Sequence, residues 1–317
     1  MAPKTIEPVW HPELAIRTFE CRSCHRPQGE DCRQCVAEEV VTGELVCGRC
    51  RRQWEIEHAV PRFFGDPCPD PSAQYVCYTE KMAGVSKKDP DCFWGLIIPE
   101  DAPRDFFDQS LVLDVGCGDA LLDLTMNQRR EAEIVGLDID PVLYTIGERY
   151  EPNLHLVRAS IYEPPLRPRL YDLVYSVYVL HILPDMWRAM EMTEEMVRPG
   201  GMLTLSLYPH RDRLVYGVAT ALRQVLCRLP FGLRRVFLLA MAPFISLMKP
   251  MSGVGLSQNG LQQCADILET FFGSRYHRTV SPEELGDWFT RQGYERLASL
   301  RHPVTICGQR KGEGHQG

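Results

Sequence analysis

The sequence predicts an α/β fold in which apolar strands lead into ligand-binding turns, and two segments carry this prediction. Residues 111–115 are a largely apolar run that leads into a turn containing Gly116 and Gly118. Residues 134–137 are a second apolar run, and Asp138 follows it about twenty residues after the turn. An acid at this spacing contacts ribose hydroxyls in a βαβ unit, so the turn is predicted to bind a nucleotide.

The kind of nucleotide follows from the residues around these glycines. A dinucleotide-binding turn would place a third glycine where this chain has Leu121. Asp114 lies just before the first glycine, where its charge would repel a pyrophosphate. S-adenosylmethionine carries no phosphate, and a carboxylate attracts its amino and sulfonium groups. The turn is therefore predicted to bind S-adenosylmethionine.

Four motifs, in the same order along the chain, resemble those of the class I S-adenosylmethionine-dependent methyltransferases. The family's first motif, D-x-G-x-G-x-G/A, is matched by Asp114, Gly116, Gly118 and Ala120. The family's fourth strand, the segment after it and the turn into its fifth strand are similar to residues 171–176, 179–185 and 197–201. The core looks most like the type 11 branch, which includes quinone-biosynthesis methyltransferases. The resemblance implies a Rossmann-like, seven-stranded sheet.

The resemblance also implies which residues contact the cofactor. Asp138 is expected to hold the ribose hydroxyls, and Ile139 to pack on the adenine. The family usually has an acid after its third strand to accept a hydrogen bond from the adenine, whereas this chain has Ser160, with Glu163 as the alternative acceptor. The full expected set is Asp114, Gly116, Gly118, Asp138, Ile139, Ser160, Ile161 and Ser176.

Methyl transfer needs few catalytic groups, because an in-line displacement mainly requires positioning and a dry site. An oxygen or carbon acceptor must also lose a proton, which calls for a base that titrates near neutral pH. His181, after the fourth strand, and His210, after the fifth, lie where an open α/β sheet binds ligands. Both are candidate catalytic bases, and a structural or pocket-lining role is the alternative for each.

Six cysteines in the first fifty residues form three C-x2-C pairs, the spacing of zinc knuckles. Residues 44–54 and 59–64 resemble the zinc ribbon of the small activator subunits of tRNA methyltransferases. That likeness assigns a structural Zn²⁺ to Cys21, Cys24, Cys47 and Cys50. Cys32 and Cys35 are alternate ligands or part of a second site. Buried cysteines without a metal are the alternative interpretation.

The motifs divide the chain into three parts. Residues 1–65 are the predicted zinc ribbon, and residues 66–105 are a proline-punctuated linker that is expected to close the pocket. Residues 106–317 are the predicted methyltransferase domain, with a helical insertion at about 208–280.

The first part of the insertion combines positive charge with apolar residues. Seven basic residues and one acidic residue lie between Tyr208 and Met251, and apolar residues recur there at helical spacing. The segment is interpreted as an amphipathic lid. The alternative is that residues 211–249 contact an anionic membrane or receive a lipid-like substrate.

After the insertion, the sequence predicts one helix followed by two strands. Residues 281–284, Ser-Pro-Glu-Glu, form a capping box that starts a helix expected to end near Gly293. Residues 296–302 and 304–309 are predicted to pair as the last two strands.

The charge and hydropathy of the chain limit which kinds of partner the protein is expected to bind. The chain has 317 residues and a net charge of −7, and residues 1–100 are acidic as well, so a nucleic-acid partner is not favoured. The longest largely apolar run, residues 236–248, contains Pro243 and is too short to span a bilayer. The protein is expected to be cytoplasmic, with peripheral membrane contact left open.

The sequence thus favours S-adenosylmethionine-dependent methyl transfer to a small, hydrophobic acceptor, such as a metabolite, a lipid or a quinone-like ring. Two alternatives stay open. One is an RNA base methyltransferase, because Arg49, Arg51 and Arg52 cluster around a cysteine pair. The other is a non-catalytic zinc-binding scaffold.

Overall fold

The computed structural model describes residues 20–21, 26–27, 42–46, 53–64, 95, 97–99, 102, 109–120, 122–124, 132–147, 153–209, 213–247, 268, 272–300 and 304–312. Within these ranges the strands are β1 (Glu20–Cys21), β2 (Arg26–Pro27), β3 (Thr42–Val46), β4 (Gln53–Glu57), β5 (Val60–Pro61), β6 (Leu111–Val115), β7 (Glu133–Asp138), β8 (Leu154–Arg158), β9 (Tyr171–Val177), β10 (Val197–Ser206), β11 (Tyr294–Ser299) and β12 (Thr305–Arg310). The helices are α1 (Val142–Gly147), α2 (Met186–Glu194), α3 (Arg213–Leu226), α4 (Phe231–Leu247) and α5 (Pro282–Arg291).

A seven-stranded sheet forms the centre of the described structure, with the spatial order β11-β12-β10-β9-β6-β7-β8. Strand β12 is antiparallel to both of its neighbours, and the other pairs are parallel. This confirms the mostly parallel, Rossmann-like sheet that the sequence predicted. The chain order runs outward from β6 in one direction through β7 and β8, and in the other through β9 and β10. The carboxyl ends of β6 and β9 therefore flank the crevice in which such sheets bind ligands.

The central strands are apolar because both faces of a parallel sheet are covered. All five residues of β6 are buried. Residues of neighbouring strands alternate between two apolar clusters, so that Leu113 and Val174 pack in one and Val112 and Leu173 in the other. The strands whose ends flank the crevice are therefore held by packed apolar side chains on both faces of the sheet.

The N-terminal strands pack against one edge of this sheet. Strands β3, β4 and β5 form a three-stranded antiparallel sheet. The Phe63 amide donates a hydrogen bond to the Arg158 carbonyl at the end of β8, with an N–O distance of 3.0 Å. The Arg158 guanidinium lies over the rings of Phe64 and Tyr144. These contacts join the N-terminal sheet to β8 and α1.

The insertion begins with the helices α3 and α4. Helix α4 continues past Pro243 to Leu247, so this proline does not end the apolar helix. Leu226, Leu238, Leu268 and Phe272 form a separate small apolar cluster between the described parts of the insertion. No helix among the described residues is long and apolar enough to cross a membrane.

The C-terminal elements confirm the predicted capping box. The Ser281 hydroxyl accepts from the Glu284 amide, and the Glu284 carboxylate accepts from the Ser281 amide. Helix α5 ends at Arg291, and Gly293 has a φ of 82° in the turn that follows. Strands β11 and β12 then pair in antiparallel fashion, as predicted.

Candidate active site

The glycine turn after β6 is held tightly by its neighbours. Gly116 and Gly118 have φ angles of 84° and 56°, which glycine adopts without the steric cost that other residues incur. The Gly116 amide donates to the Leu137 carbonyl at 2.7 Å. A Cβ atom on Gly116 would lie 2.5 Å from both Val179 methyl groups. Glycine is therefore required here both by the backbone and by the segment that follows β9.

Asp138, at the end of β7, is bonded to this turn. Its Oδ2 accepts a hydrogen bond from the Gly118 amide at 2.8 Å. Its Oδ1 accepts from the amides of Ile139 and Asp140 at 2.6 and 2.9 Å. Burial raises the pKa of Asp138, and these backbone hydrogen bonds oppose the shift. The structure thus brings Asp138 and the glycine turn together, as the sequence predicted.

Two buried carboxyl groups lie next to the turn. Asp114 is the second-last residue of β6, and Asp123 lies in the helical segment after the turn, where it accepts a hydrogen bond from the Tyr175 hydroxyl. Burial is the main cause that raises the pKa of Asp114 well above its usual value, and it raises the pKa of Asp123 to about 7. Sequence reasoning missed Asp123 and Tyr175. An acid in the apolar run 121–124 was the available signal.

The remaining expected cofactor residues occupy the ends of β7, β8 and β9. The Ser176 hydroxyl is buried and donates to the Val115 carbonyl at 2.8 Å, so it braces β9 against β6. The Ser160 hydroxyl accepts from the Tyr162 amide at 3.3 Å, which leaves capacity for another hydrogen bond. Ile161 is buried, and Ile139 is partly exposed.

Four aromatic rings gather at the carboxyl ends of β9 and β10. This ring cluster consists of Tyr178, His181, Tyr208 and His277. The His181 ring centroid lies 4.8 Å from that of Tyr208 and 5.1 Å from that of His277. Tyr178 has a φ of 58°, an unusual value for tyrosine of the kind found at functional sites.

The ring cluster keeps His181 buried and neutral. His181 is 3% exposed, and its Nδ1 has no hydrogen-bond partner among the described residues. Burial lowers the pKa of His181 well below its usual value, and His277 and Arg223 lower it further. The Arg278 amide donates to the His181 carbonyl at 2.8 Å, which fixes the segment carrying His277. The sequence offered no signal for His277, because no motif links it to β9.

The other predicted site residues are not described. His210 and the predicted zinc ligands Cys24, Cys47 and Cys50, with the alternates Cys32 and Cys35, lie outside the described residues. Cys21 is described only as part of β1. Within the described ranges, no group of three histidine, cysteine or acidic residues could hold a metal ion.

The segment that carries the glycine turn is similar in sequence to known methyltransferases. Residues 113–205 match a family described as a methyltransferase domain. Trans-aconitate 2-methyltransferase of Deinococcus radiodurans is 32% identical over 112 residues, covering 35% of this chain and 42% of that protein. Ubiquinone biosynthesis O-methyltransferase of Leptothrix cholodnii is 26% identical over 127 residues, covering 38% of this chain and 54% of that protein. The match thus spans about half or less of these curated relatives.

Among solved structures, an S-adenosylmethionine-dependent methyltransferase of Mesorhizobium loti is similar, with 16% identity and a TM-score of 0.42. The similarity covers 71% of this chain and 100% of that one. Residues 113–205, which carry the glycine turn, therefore match a methyltransferase domain, and the curated relatives named above are methyltransferases.

Proposed function

We propose that this protein transfers a methyl group from S-adenosylmethionine to a small, apolar acceptor. The observation that carries the proposal is the hydrogen bond between Gly118 and Asp138, in a turn that lies beside the segment that carries two rings of the ring cluster. Val179 packs beside Gly116, and it lies in sequence between Tyr178 and His181. A nucleoside site and a candidate base therefore lie on neighbouring segments.

The residues of the turn fit a nucleoside cofactor that has no phosphate. Gly116 and Gly118 have positive φ angles and no side chains, so the backbone of the turn can approach a ligand closely. Asp138 is an acceptor for ribose hydroxyls, and Ile139 and Ile161 offer apolar surface for the adenine. S-adenosylmethionine supplies an activated methyl group when bound. The protein itself has to orient the two reactants and exclude water.

His181 is the proposed base on the acceptor side. Burial lowers the pKa of His181 well below its usual value, so the imidazole is neutral, and its Nδ1, which has no hydrogen-bond partner among the described residues, can accept a proton. It is a weaker base than the near-neutral one that the sequence predicted. Its burial among aromatic rings favours a flat or apolar acceptor, which loses its hydration shell on binding at little cost. His210 remains a second candidate base.

The relatives support two acceptor classes. One relative is named for ubiquinone biosynthesis, which supports a quinone-like ring. Another is named for trans-aconitate, which supports a small acid. The ring cluster favours the first class, because aromatic faces stack on a planar ring.

The insertion supports a lipid-like acceptor or a peripheral membrane contact. Val218 and Val225 on α3, and Leu233 and Val236 on α4, are exposed apolar residues one or two helical turns apart. Basic residues outnumber acidic ones in the same segment. An exposed apolar surface with basic residues nearby suits an anionic lipid surface.

A structural zinc remains part of the proposal. Strands β1 and β2 pair on either side of Cys24 in the sequence, and β3 and β4 pair on either side of Cys47 and Cys50. Short antiparallel strands that bracket a C-x2-C pair suit a zinc knuckle. Metal analysis of the purified protein, before and after Cys47→Ser, tests this directly. Stoichiometric zinc that is lost in the variant is expected, and a wild-type protein without zinc would exclude the site.

The first experiment on function is calorimetric titration with S-adenosylmethionine and S-adenosylhomocysteine, followed by an acceptor screen that starts with quinone-like rings. We expect binding of both nucleosides and methyl transfer to one acceptor class. His181→Gln should lower kcat by roughly 10²- to 10⁴-fold, the range for a general base. The Kd of S-adenosylhomocysteine in this variant is the control, because His181 is not expected to contact the cofactor. A folded protein that binds neither nucleoside would favour the scaffold alternative.

A further inference from the structure

Arg158, the last residue of β8, connects the N-terminal strands to the segment that carries Asp138 and Ile139. Its Nε donates a hydrogen bond to the Ile139 carbonyl at 3.0 Å, and its Nη1 donates to the Tyr144 hydroxyl at 3.1 Å. Its guanidinium carbon lies 5.0 Å from the centroid of the Phe64 ring and 5.1 Å from that of the Tyr144 ring. One side chain thus contacts the chain after β5, helix α1 and the residue that follows β7.

Asp138 and Ile139 are the two residues at the end of β7 that can present side chains to a ligand. Both are partly exposed, whereas the residues on either side of them are buried. The Ile139 amide donates to the Asp138 carboxylate at 2.6 Å, and the Ile139 carbonyl accepts from Arg158. Both polar groups of the Ile139 main chain are therefore bonded, and one of the two bonds depends on Arg158.

The N-terminal segment in turn holds Arg158. The Phe63 amide donates to the Arg158 carbonyl at 3.0 Å, and Arg62 and Arg158 form a parallel β-bridge. A guanidinium can stack on an aromatic face while its N–H groups donate hydrogen bonds in its own plane, so the Phe64 contact and the bond to Ile139 are compatible. Burial raises the pKa of Asp138, and the charge of Arg158 opposes that rise.

We propose that Arg158 is a positioning residue for the ribose and adenine of the cofactor, and that the N-terminal strands set its position through Phe64. This inference rests on the proposed function. Arg158 acts through the main chain of Ile139, so its loss gives the Asp138–Ile139 segment other arrangements. The Kd of a nucleoside then rises in inverse proportion to the fraction of molecules in the binding arrangement. Because such coupling is reciprocal, a bound nucleoside should also stabilise the N-terminal strands.

The first test is calorimetric titration of the full-length chain with S-adenosylhomocysteine, which needs no acceptor. Arg158→Lys keeps the charge and loses the planar guanidinium, and Phe64→Leu removes the aromatic face. We expect either change to raise the Kd by roughly 5- to 30-fold, the effect of a lost cation–π contact or a lost hydrogen bond. Phe64→Tyr keeps the aromatic face and should bind like the wild type.

Glu55→Gln is the matched control in the same strands. It breaks the 2.6 Å ion pair between Glu55 and Arg62 and leaves the Phe64 and Arg158 side chains unchanged, so its Kd should equal that of the wild type. Wild-type Kd values in folded Arg158→Lys and Phe64→Leu would overturn the inference and leave the proposed function intact. A folded wild-type protein that does not bind S-adenosylhomocysteine would remove the proposed function as well.

Hydrogen exchange tests the coupling in the wild type without any substitution. S-adenosylhomocysteine should slow amide exchange in residues 53–64 severalfold, and this slowing should be lost in Phe64→Leu. Slower exchange that is confined to the glycine turn and β7 would show that the ligand binds without engaging the N-terminal strands. That outcome would overturn the inference and would still support the proposed function.

Discussion

Asp138 shows how one side chain can serve both the fold and the ligand. A carboxylate has about four positions for hydrogen bonds, and backbone amides occupy three of those on Asp138. About one position is left for a ribose hydroxyl. The same three bonds hold the glycine turn, so a change at this residue is expected to affect the shape of the site as well as one ligand contact.

Replacement of Asp138 by asparagine should therefore weaken cofactor binding strongly. The amide NH2 would face either the Gly118 amide or those of Ile139 and Asp140, which places donors opposite donors. We expect a loss of about 1–3 kcal/mol, which is roughly 5- to 150-fold in the Kd of S-adenosylhomocysteine. Asp140→Asn is the control, because asparagine can still accept from the Val142 amide at the start of α1. Equal Kd values for both variants would contradict the assigned role.

Asp123 should make stability depend on pH in a defined direction. Burial raises its pKa from 3.8 to about 7, so the folded protein binds more protons than the unfolded chain between these values. This contribution to the free energy of unfolding is present at low pH and is lost as the pH rises toward 7, by at most about 1.4 kcal/mol per pH unit.

The difference in stability between Asp123→Asn and the wild type isolates this contribution. Other titrating groups, such as His181, are present in both proteins, so their effects on stability cancel. We expect the variant to gain stability relative to the wild type as the pH is raised from about 4 to about 7, measured by urea unfolding at a series of pH values. A stability difference that does not change with pH would show that Asp123 keeps an ordinary pKa.

These residues also show what the sequence can predict. The glycine turn and Asp138 were predictable because their spacing is local and chemically constrained. Asp123 depends on Tyr175, which is 52 residues away, and His277 reaches His181 only through the fold. Side-chain partners that belong to different elements leave no periodic pattern in the chain. The acceptor side of the site was therefore the part that the sequence predicted least.

At the scale of elements, features that depend on neighbouring residues were predictable from the sequence, and features that depend on tertiary contacts were not. The capping box of α5 was predictable, because both of its hydrogen bonds lie within four residues. The packing of the N-terminal strands on β8 was not, since it depends on a stack of Arg158 with Phe64 and Tyr144. The same packing explains why residue 147 is a glycine, because a Cβ atom on Gly147 would lie 2.0 Å from the His58 carbonyl oxygen.

Substitution of Gly147 by alanine should loosen the N-terminal strands. The new methyl group cannot coexist with the His58 carbonyl, so α1 and the turn before β5 must separate. We expect lower stability, by about 1–3 kcal/mol as for other overpacked sites, and faster proteolysis in the first 65 residues. Gly286→Ala in α5 is the matched control, because its Cβ would meet only Ile306 at 3.7 Å. That helical change should be neutral or stabilising by up to about 1 kcal/mol.

Equal stability of the two glycine variants would contradict this packing. If Gly147→Ala keeps its stability but the first 65 residues become sensitive to protease, the N-terminal strands unfold separately from the sheet. Limited proteolysis followed by mass spectrometry separates these outcomes.

At the scale of the whole molecule, charge is distributed unevenly. The chain has a net charge of −7, whereas the segment between Tyr208 and Met251 has an excess of basic residues. That segment also carries exposed apolar side chains, with Val218 71% and Val236 67% exposed. An anionic surface would therefore attract one side of the protein and repel the rest, which would orient the insertion toward the surface.

This arrangement predicts recruitment to anionic phospholipid vesicles through α3 and α4. We expect co-sedimentation that weakens as salt is added and is reduced at least severalfold in the double variant Leu233→Ser/Val236→Ser. Leu297→Ser is the control, because Leu297 is an exposed apolar residue on β11, outside the insertion. Equal sedimentation of the double variant and the wild type would exclude the helices as the contact. Absence of recruitment at low salt would instead leave the exposed side chains of α3 and α4 as the surface of a lid, which agrees with a soluble acceptor.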